Sequence, residues 1–375
     1  MKFKLTKESL FYLAWILMEI HICVANSNAA NFSISAVSYL CMALFTAKIL
    51  WTLHYSFQEL CIMAIMLLGA FVSAYRAGDM RVLWFVLVIA ASKGTDFDKC
   101  VRISFRTMLG CCMVFVLFYI IGLTESPHIV TERGMRFGLG LGHPNMCAAY
   151  YSLLMVHIIY LCFQRLKISH FVLFALGAGV VYGITKSNTG VAVTLVTIIV
   201  SVVIKFLPAK KFNIKVIVLG MLAGIAVFTI LPIIYNEKLS VLDNWMTGRI
   251  HQANFYYAKY GISLFGNNVN YDLTKWNRDN ILDMGFAKIL IHNGLFYYVL
   301  VVGGYFICLR KAVKHMRRDL MALFVSMLVY MFTENVATFI FMNVSMLAFA
   351  DTLFQKNLYD MEKEREYIIG DEGAK

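Results

Sequence analysis

Cations stand beside glycines and small polar residues at three separated places in this chain. The first is Arg136-Phe137-Gly138-Leu139-Gly140-Leu141-Gly142-His143-Pro144-Asn145, with Arg133 just upstream. The second is Thr185-Lys186-Ser187-Asn188-Thr189-Gly190, and the third is Thr247-Gly248-Arg249, with His251 two residues on. A carboxylate, Asp283, lies ahead of a long apolar stretch. Guanidinium groups stay charged and can meet phosphate oxygens two at a time. A carboxylate or imidazole nearby can remove a proton from a hydroxyl. Together they suit chemistry on an anionic group. Each residue also has a plainer use: Arg136 and Arg249 as interfacial anchors, Asp283 as a helix cap, His143 and Asn145 as turn-formers ahead of a helix. The glycine run is not a nucleotide fingerprint, because no strand–helix unit surrounds it. It reads as a flexible approach to the apolar segment that follows.

The elements that must position these residues are membrane helices. Of 375 residues, 60% are hydrophobic and 15% charged, against roughly 25% charged in soluble proteins. Four prolines and no low-complexity tract exclude disorder, and the ten-residue alternation of an outer-membrane barrel is missing. Apolar runs fall near 9–29, 34–53, 57–75, 81–92, 106–123, 142–163, 168–185, 189–206, 214–235, 285–309, 319–333 and 336–354. At about 20 residues per crossing, this predicts an all-α polytopic membrane protein with about twelve transmembrane helices. The 319–354 stretch is broken only by Thr333, Glu334 and Asn335, which reads as a tight hairpin turn.

With an even count both ends share a side. Of the 34 lysines and arginines, 23 fall on the side holding the ends, which predicts cytoplasmic termini. The first apolar run lacks a small-residue cleavage site and reads as the opening span. The +12 charge is then a topology signal. It is not a nucleic-acid surface, because the basic loops lack stacking aromatics. Of the nine cysteines only Cys100 falls outside the spans, so they read as small hydrophobes. Asp96-Phe97-Asp98, in the cytoplasmic 93–106 segment, reads as a solvated loop and not as a metal pair.

The whole chain, 1–375, reads as a single integral membrane domain. It carries an extracytoplasmic loop at 236–284 and a cytoplasmic tail at 355–375. A loop of that length is usually functional when ordered. This one is rich in Tyr, Trp, Asn and Gly and balances its charges. Within it, 244–260 predicts an amphipathic helix capped by Asp243, with Ile250, Ala253, Tyr257 and Tyr260 on one stripe. Arg76, Asp79 and Arg81 fall on the same outer side. Cations around a loop fit for sugar stacking suggest an anionic, lipid-linked carbohydrate.

These segments resemble those of the Wzy-type bacterial polysaccharide polymerases of the O-antigen ligase/polymerase superfamily. Arg136 to Asn145 resembles that family's Arg…Gly-Phe-x-His-Pro-Asn segment, and Thr185 to Gly190 its Ser-Arg-Thr/Ser-Gly turn. Thr247-Gly248-Arg249 is similar to its Gly-Arg helix start, and Leu264-Phe265-Gly266 to the Leu-Phe-Gly that follows. Asp283 to Gly294 has the spacing of its Asp-Asn-x-Tyr…Gly stretch. The resemblance runs from about residue 130 to 310; before that it is one of hydropathy only. Asn188 stands where the family has arginine, and Met284 where it has asparagine, with Asp279-Asn280 as an alternative register.

The resemblance implies a GT-C-like glycosyltransferase. It would join undecaprenyl-diphosphate-linked oligosaccharide repeat units at the outer face of the bacterial cytoplasmic membrane, in making capsule, exopolysaccharide or O-antigen. No cofactor or metal is expected. Flippase and chain-length regulator proteins are the implied partners. Arg249, Arg136 and Asp283 are then the catalytic candidates, with Lys186, His143, Asn145 and His251 binding substrate. An O-antigen-type ligase is the near alternative. A transporter or flippase of lipid-linked glycan is the other, because Glu19 and His21 fall inside the first span.

Overall fold

The computed structural model describes residues 6–32, 34–52, 54–125, 129–131, 134–207, 214–271 and 282–354. Arg133, the Asp279-Asn280 pair and the 355–375 tail lie outside the described residues. Helices dominate: α1 (Lys7–Ala25), α2 (Ser35–Thr52), α3 (Phe57–Ala77), α4 (Arg81–Ala91) and α5 (Phe97–Ile120). Next come α6 (Pro144–Leu161), α7 (Ile168–Thr185), α8 (Asn188–Phe206), α9 (Ile214–Ile230), α10 (Ser240–Trp245) and α11 (Arg249–Tyr260). The series ends with α12 (Gly285–Lys288), α13 (Leu295–Lys314), α14 (Arg318–Thr333) and α15 (Phe349–Phe354). A short antiparallel ribbon pairs β1 (Ile129–Thr131) with β2 (Gly134–Arg136), Ile129 opposite Arg136.

Among the described residues seven helices, α1, α2, α3, α5, α7, α8 and α13, are long and apolar enough to cross a membrane. This is the all-α membrane protein that the hydropathy implies. Helix ends follow local chemistry. The Ser56 hydroxyl accepts from the Glu59 amide at 3.2 Å while the Glu59 carboxylate accepts from the Ser56 amide at 2.6 Å, which starts α3. Gly78, left-handed at φ 67°, ends it. Asp96 stays exposed just ahead of α5, and its side chain caps that helix, accepting from the Lys99 amide at 2.7 Å. Asp98 lies in the first turn of α5 and accepts from the Tyr160 hydroxyl.

Two expected spans are not continuous helices. The 285–309 run breaks at Gly294 (φ 93°), where the one-turn α12 and a π-helical turn over Ile289–Asn293 give way to α13. The 336–354 run is a series of 3-10 turns, Val336–Thr338, Ile340–Met342 and Val344–Ala348, followed by the six-residue α15. Phe339 is extended between the first two, and Asn343 leaves the helical region between the last two. Asn343 explains the irregular path. Its amide donates to the Tyr305 hydroxyl and the Ala337 carbonyl, both at 2.7 Å, and its oxygen accepts from Ser345 at 2.6 Å. Side-chain bonds thus replace the lost helical ladder. The segment runs through the protein core, with Phe341 packed on Trp15 (4.9 Å), Trp84 (5.7 Å) and Phe45 (6.2 Å) between ring centres.

Polar contacts gather at the two ends of the bundle. One end holds Lys93–Glu59 (2.6 Å), Arg317–Asp319 (2.9 Å) and Lys311–Asp351 (3.2 Å). Lys93 there also stands over the Phe354 ring, so both ends of the described chain lie on this side. The other end holds every cation-bearing motif.

Candidate functional site

The amphipathic helix expected over 244–260 is two helices. The chain turns at Thr247 (φ 60°) and Gly248 (φ 84°), between α10 and α11. Asp243 does cap, but across that turn: its carboxylate accepts from the Ile250 amide at 2.8 Å and the His251 amide at 3.1 Å. Ile250, Ala253 and Tyr256 then bury against Leu282, Met284, Ala287 and Ile291. The buried face therefore runs through Tyr256, with Tyr257 and Tyr260 at its margin. Docking α11 on the segment around α12 brings Arg249 to Asp283.

Arg249 is only 4% exposed at its side chain and is fully engaged. Its guanidinium donates to the Thr333 carbonyl, to Glu334 Oε1 at 2.8 Å, and lies 3.5 Å from Asp283 Oδ2. Burial alone would lower its proton affinity, but Glu334 and Asp283 raise it. Burial pushes the Glu334 carboxyl up to about 7 despite Arg249. Asp283 is the open member, 24% exposed, and also accepts from the Asn335 amide at 3.1 Å. Two carboxylates therefore face the Arg249 charge that the sequence reading sets against phosphate, Glu334 at 2.8 Å and Asp283 at 3.5 Å.

Arg136, at the end of β2, lies beside this triad. Its Nε donates to the Thr185 carbonyl at 2.8 Å and its Nη2 to Asn145 Oδ1 at 2.7 Å. The same Asn145 oxygen accepts from Ser187 at 3.0 Å, so the first two motifs share one hydrogen-bonded node. His143 is the N-cap of α6, its Nδ1 accepting from the Asn145 amide at 3.1 Å. Burial and the Arg136 charge lower its proton affinity, and Asp283 opposes them, so both charged groups act on this ring. Lys186 ends α7 in the left-handed region, with its ammonium 5.6 Å from the Tyr182 ring centre. His251 is exposed and packs edge-on against Tyr235, 5.3 Å between ring centres.

Strain accompanies the motifs. Leu139, Lys186 and Thr247 have positive φ, and each sits in one of the three cation-bearing segments; Met316 is the fourth such non-glycine residue described. L-residues pay roughly 1–2 kcal/mol for that conformation. The glycine run is not flexible. Gly142 (φ 80°) lies so close to the α1–α2 turn that a Cβ would stand 2.2 Å from the Asn26 carbonyl oxygen.

A second polar layer adjoins the first. Arg81 lies 3.6 Å from Asp79 and donates to Thr338 at 3.1 Å, while Asp79 accepts from Asn293 at 3.2 Å. Burial would raise the Asp79 proton affinity, but Arg81 holds it below the usual carboxylate range. Sequence reasoning placed Asp79 and Arg81 on this side without a role, and missed Glu334, Asn335 and Lys288. Glu334 carried a signal: it is the sole charged residue between Asp319 and Asp351. Glu19 accepts from Ser104 at 2.5 Å, and His21 meets Ser38 at 3.0 Å. No family model, curated protein or solved structure matches this chain.

Proposed function

We propose that this chain is a polysaccharide polymerase that transfers a glycan from one undecaprenyl-diphosphate-linked carrier to the next repeat unit. The observation carrying this reading is the meeting of Arg136, His143, Asn145, Arg249 and Asp283 at one end of an apolar bundle. These residues come from distant stretches, and the same stretches carry the family resemblance. In this reading the chain makes twelve crossings, counting α4, α6, α9, α14 and the 336–354 segment. The site end faces outward and both termini face the cytoplasm.

The acceptor hydroxyl oxygen attacks the anomeric carbon of the donor glycan. The bond from that carbon to the diphosphate oxygen breaks, and the lipid diphosphate leaves with the electron pair. Asp283, the exposed carboxylate, takes the hydroxyl proton. Arg249 and Asn335 fix its orientation, so Arg249 acts as a positioning residue. Arg136, held on Asn145 and the Thr185 carbonyl, presents its charge toward the leaving group. His143 and Lys186 line the approach.

The test is a reaction of the purified protein in nanodiscs with one defined lipid-linked repeat unit, without nucleotide sugar or added metal. A ladder of longer lipid-linked products supports the reading. Unchanged substrate with protein whose Asp283 and Arg249 contacts are intact would sink it. Transfer to a different lipid acceptor in place of a ladder would identify a ligase.

A further inference from the structure

Beside the catalytic candidates, Lys288 at the end of α12 is only 9% exposed. Among the described residues no carboxylate or carbonyl meets its ammonium; its one contact is the Tyr271 ring, 5.4 Å from the nitrogen to the ring centre. A buried ammonium without a hydrogen-bond partner is costly. Around it stand Arg81 on α4 and Asp79 before it, Asp283 ahead of α12, Tyr271 in the long loop and His292 in the π-helical turn. Asp79 is already engaged by Arg81 and Asn293, and Asp283 by Arg249 and Asn335. Neither carboxylate is bonded to Lys288. Among the described residues, Lys288 is thus the cation of this cluster that no carboxylate engages, while Arg81 is held by Asp79 and Thr338.

We propose that Lys288, with Arg81 beside it, forms an anion subsite that takes phosphate oxygens of the substrate's diphosphate. The identity of that diphosphate rests on the polymerase reading; the subsite itself does not. A physical consequence sets it apart from an ordinary basic patch. Burial and the Arg81 charge hold the Lys288 amine down at about 7, outside the spanning helices, while Asp79 and Asp283 only partly oppose them. An arriving anion restores the ammonium, so the amine gains a proton from solvent on binding. His292, lowered by burial and by Lys288, remains bonded to the Ala77 carbonyl and the Tyr271 hydroxyl.

The experiment is calorimetric titration of inorganic pyrophosphate into full-length protein in neutral-lipid nanodiscs, in two buffers of different ionisation enthalpy. Near pH 8 the wild type is expected to take up about one proton more than Lys288→Arg, falling toward no difference near pH 6. Pyrophosphate's own titration is common to both proteins and cancels. Lys288→Arg keeps binding, because a guanidinium is always charged, whereas Lys288→Met weakens it about tenfold or more. Equal proton uptake in wild type and Lys288→Arg overturns the proposal, as does unchanged affinity in Lys288→Met. A parallel arm with phosphatidylglycerol in the nanodiscs separates sources. Competition by that lipid would assign the subsite to bulk headgroups and overturn the diphosphate assignment; undecaprenyl diphosphate competing where phosphatidylglycerol does not supports it. Proton-linked pyrophosphate binding with no ladder from lipid-linked repeats would leave the subsite standing and remove the polymerase reading.

Discussion

Removing the Arg249 guanidinium tests the central architecture most directly. Arg249→Ala leaves Glu334, 9% exposed, without its 2.8 Å partner, and deprives the Thr333 carbonyl and Asp283 of a donor. Breaking a buried ion pair from one side costs roughly 3–5 kcal/mol, whereas replacing both partners with apolar groups is often neutral or stabilising. Arg249→Met/Glu334→Leu should therefore recover most of the stability that Arg249→Ala loses. The double variant should still lose most of the ladder, because Asn335 alone is then left to orient Asp283. The Arg249→Ala deficit should also shrink as pH falls toward about 7 from above, because losing Arg249 raises Glu334 still further and the orphaned group then enters the fold as a neutral acid. Unfolding followed by tryptophan fluorescence in nanodiscs measures the wild type, Arg249→Ala, Arg249→Met, Glu334→Leu and the double variant across pH. A double-mutant coupling near zero, or an Arg249→Ala deficit independent of pH, refutes the reasoning.

Three further outcomes follow from the same geometry. Asp283→Asn should lower polymerisation about 10²–10⁴-fold, the usual worth of a general base, with little loss of stability because Arg249 keeps Glu334; product ladders and unfolding midpoints check both halves. Gly142→Ala should cost at least about 2 kcal/mol, from the positive φ and the Asn26 carbonyl in its way, read as a lowered unfolding midpoint. Between the ordinary glutamate value of 4.5 and about 7, the folded chain holds a proton on Glu334 that the unfolded chain releases. Stability contributed by this group accordingly falls as pH rises through that window, and Glu334→Gln should flatten the slope.

Hydropathy disclosed the class because each long apolar run had to bury its backbone in its own helix. It missed the irregular stretches 285–294 and 336–354 for a shared reason: apolar composition reports burial, and these stretches are buried by protein. Gly294 and Asn343 were the visible marks of those breaks. The site was legible in part. Arg136 meets Asn145 within one motif, and Arg249 meets Asp283 from the far end of the long loop. Their roles were not legible, because whether a guanidinium is open or closed depends on carboxylates that sequence spacing does not place. Glu334 lies 85 residues from Arg249, and no local pattern joins them. The helix assigned to 244–260 failed at Thr247, a β-branched residue held in a conformation its type disfavours.

The path of residues 336–354 has a consequence for how the molecule is put together. A ribbon of short turns cannot dwell among lipid tails with its amides bare, yet this one passes from the Glu334 end to the Phe354 end of the protein. It needs a slot already walled by Trp15, Trp84, Phe45 and Tyr305 before it can settle. A segment that follows α14 in the chain is thus the centre post of the bundle, and its first residues adjoin the Glu334 that meets Arg249.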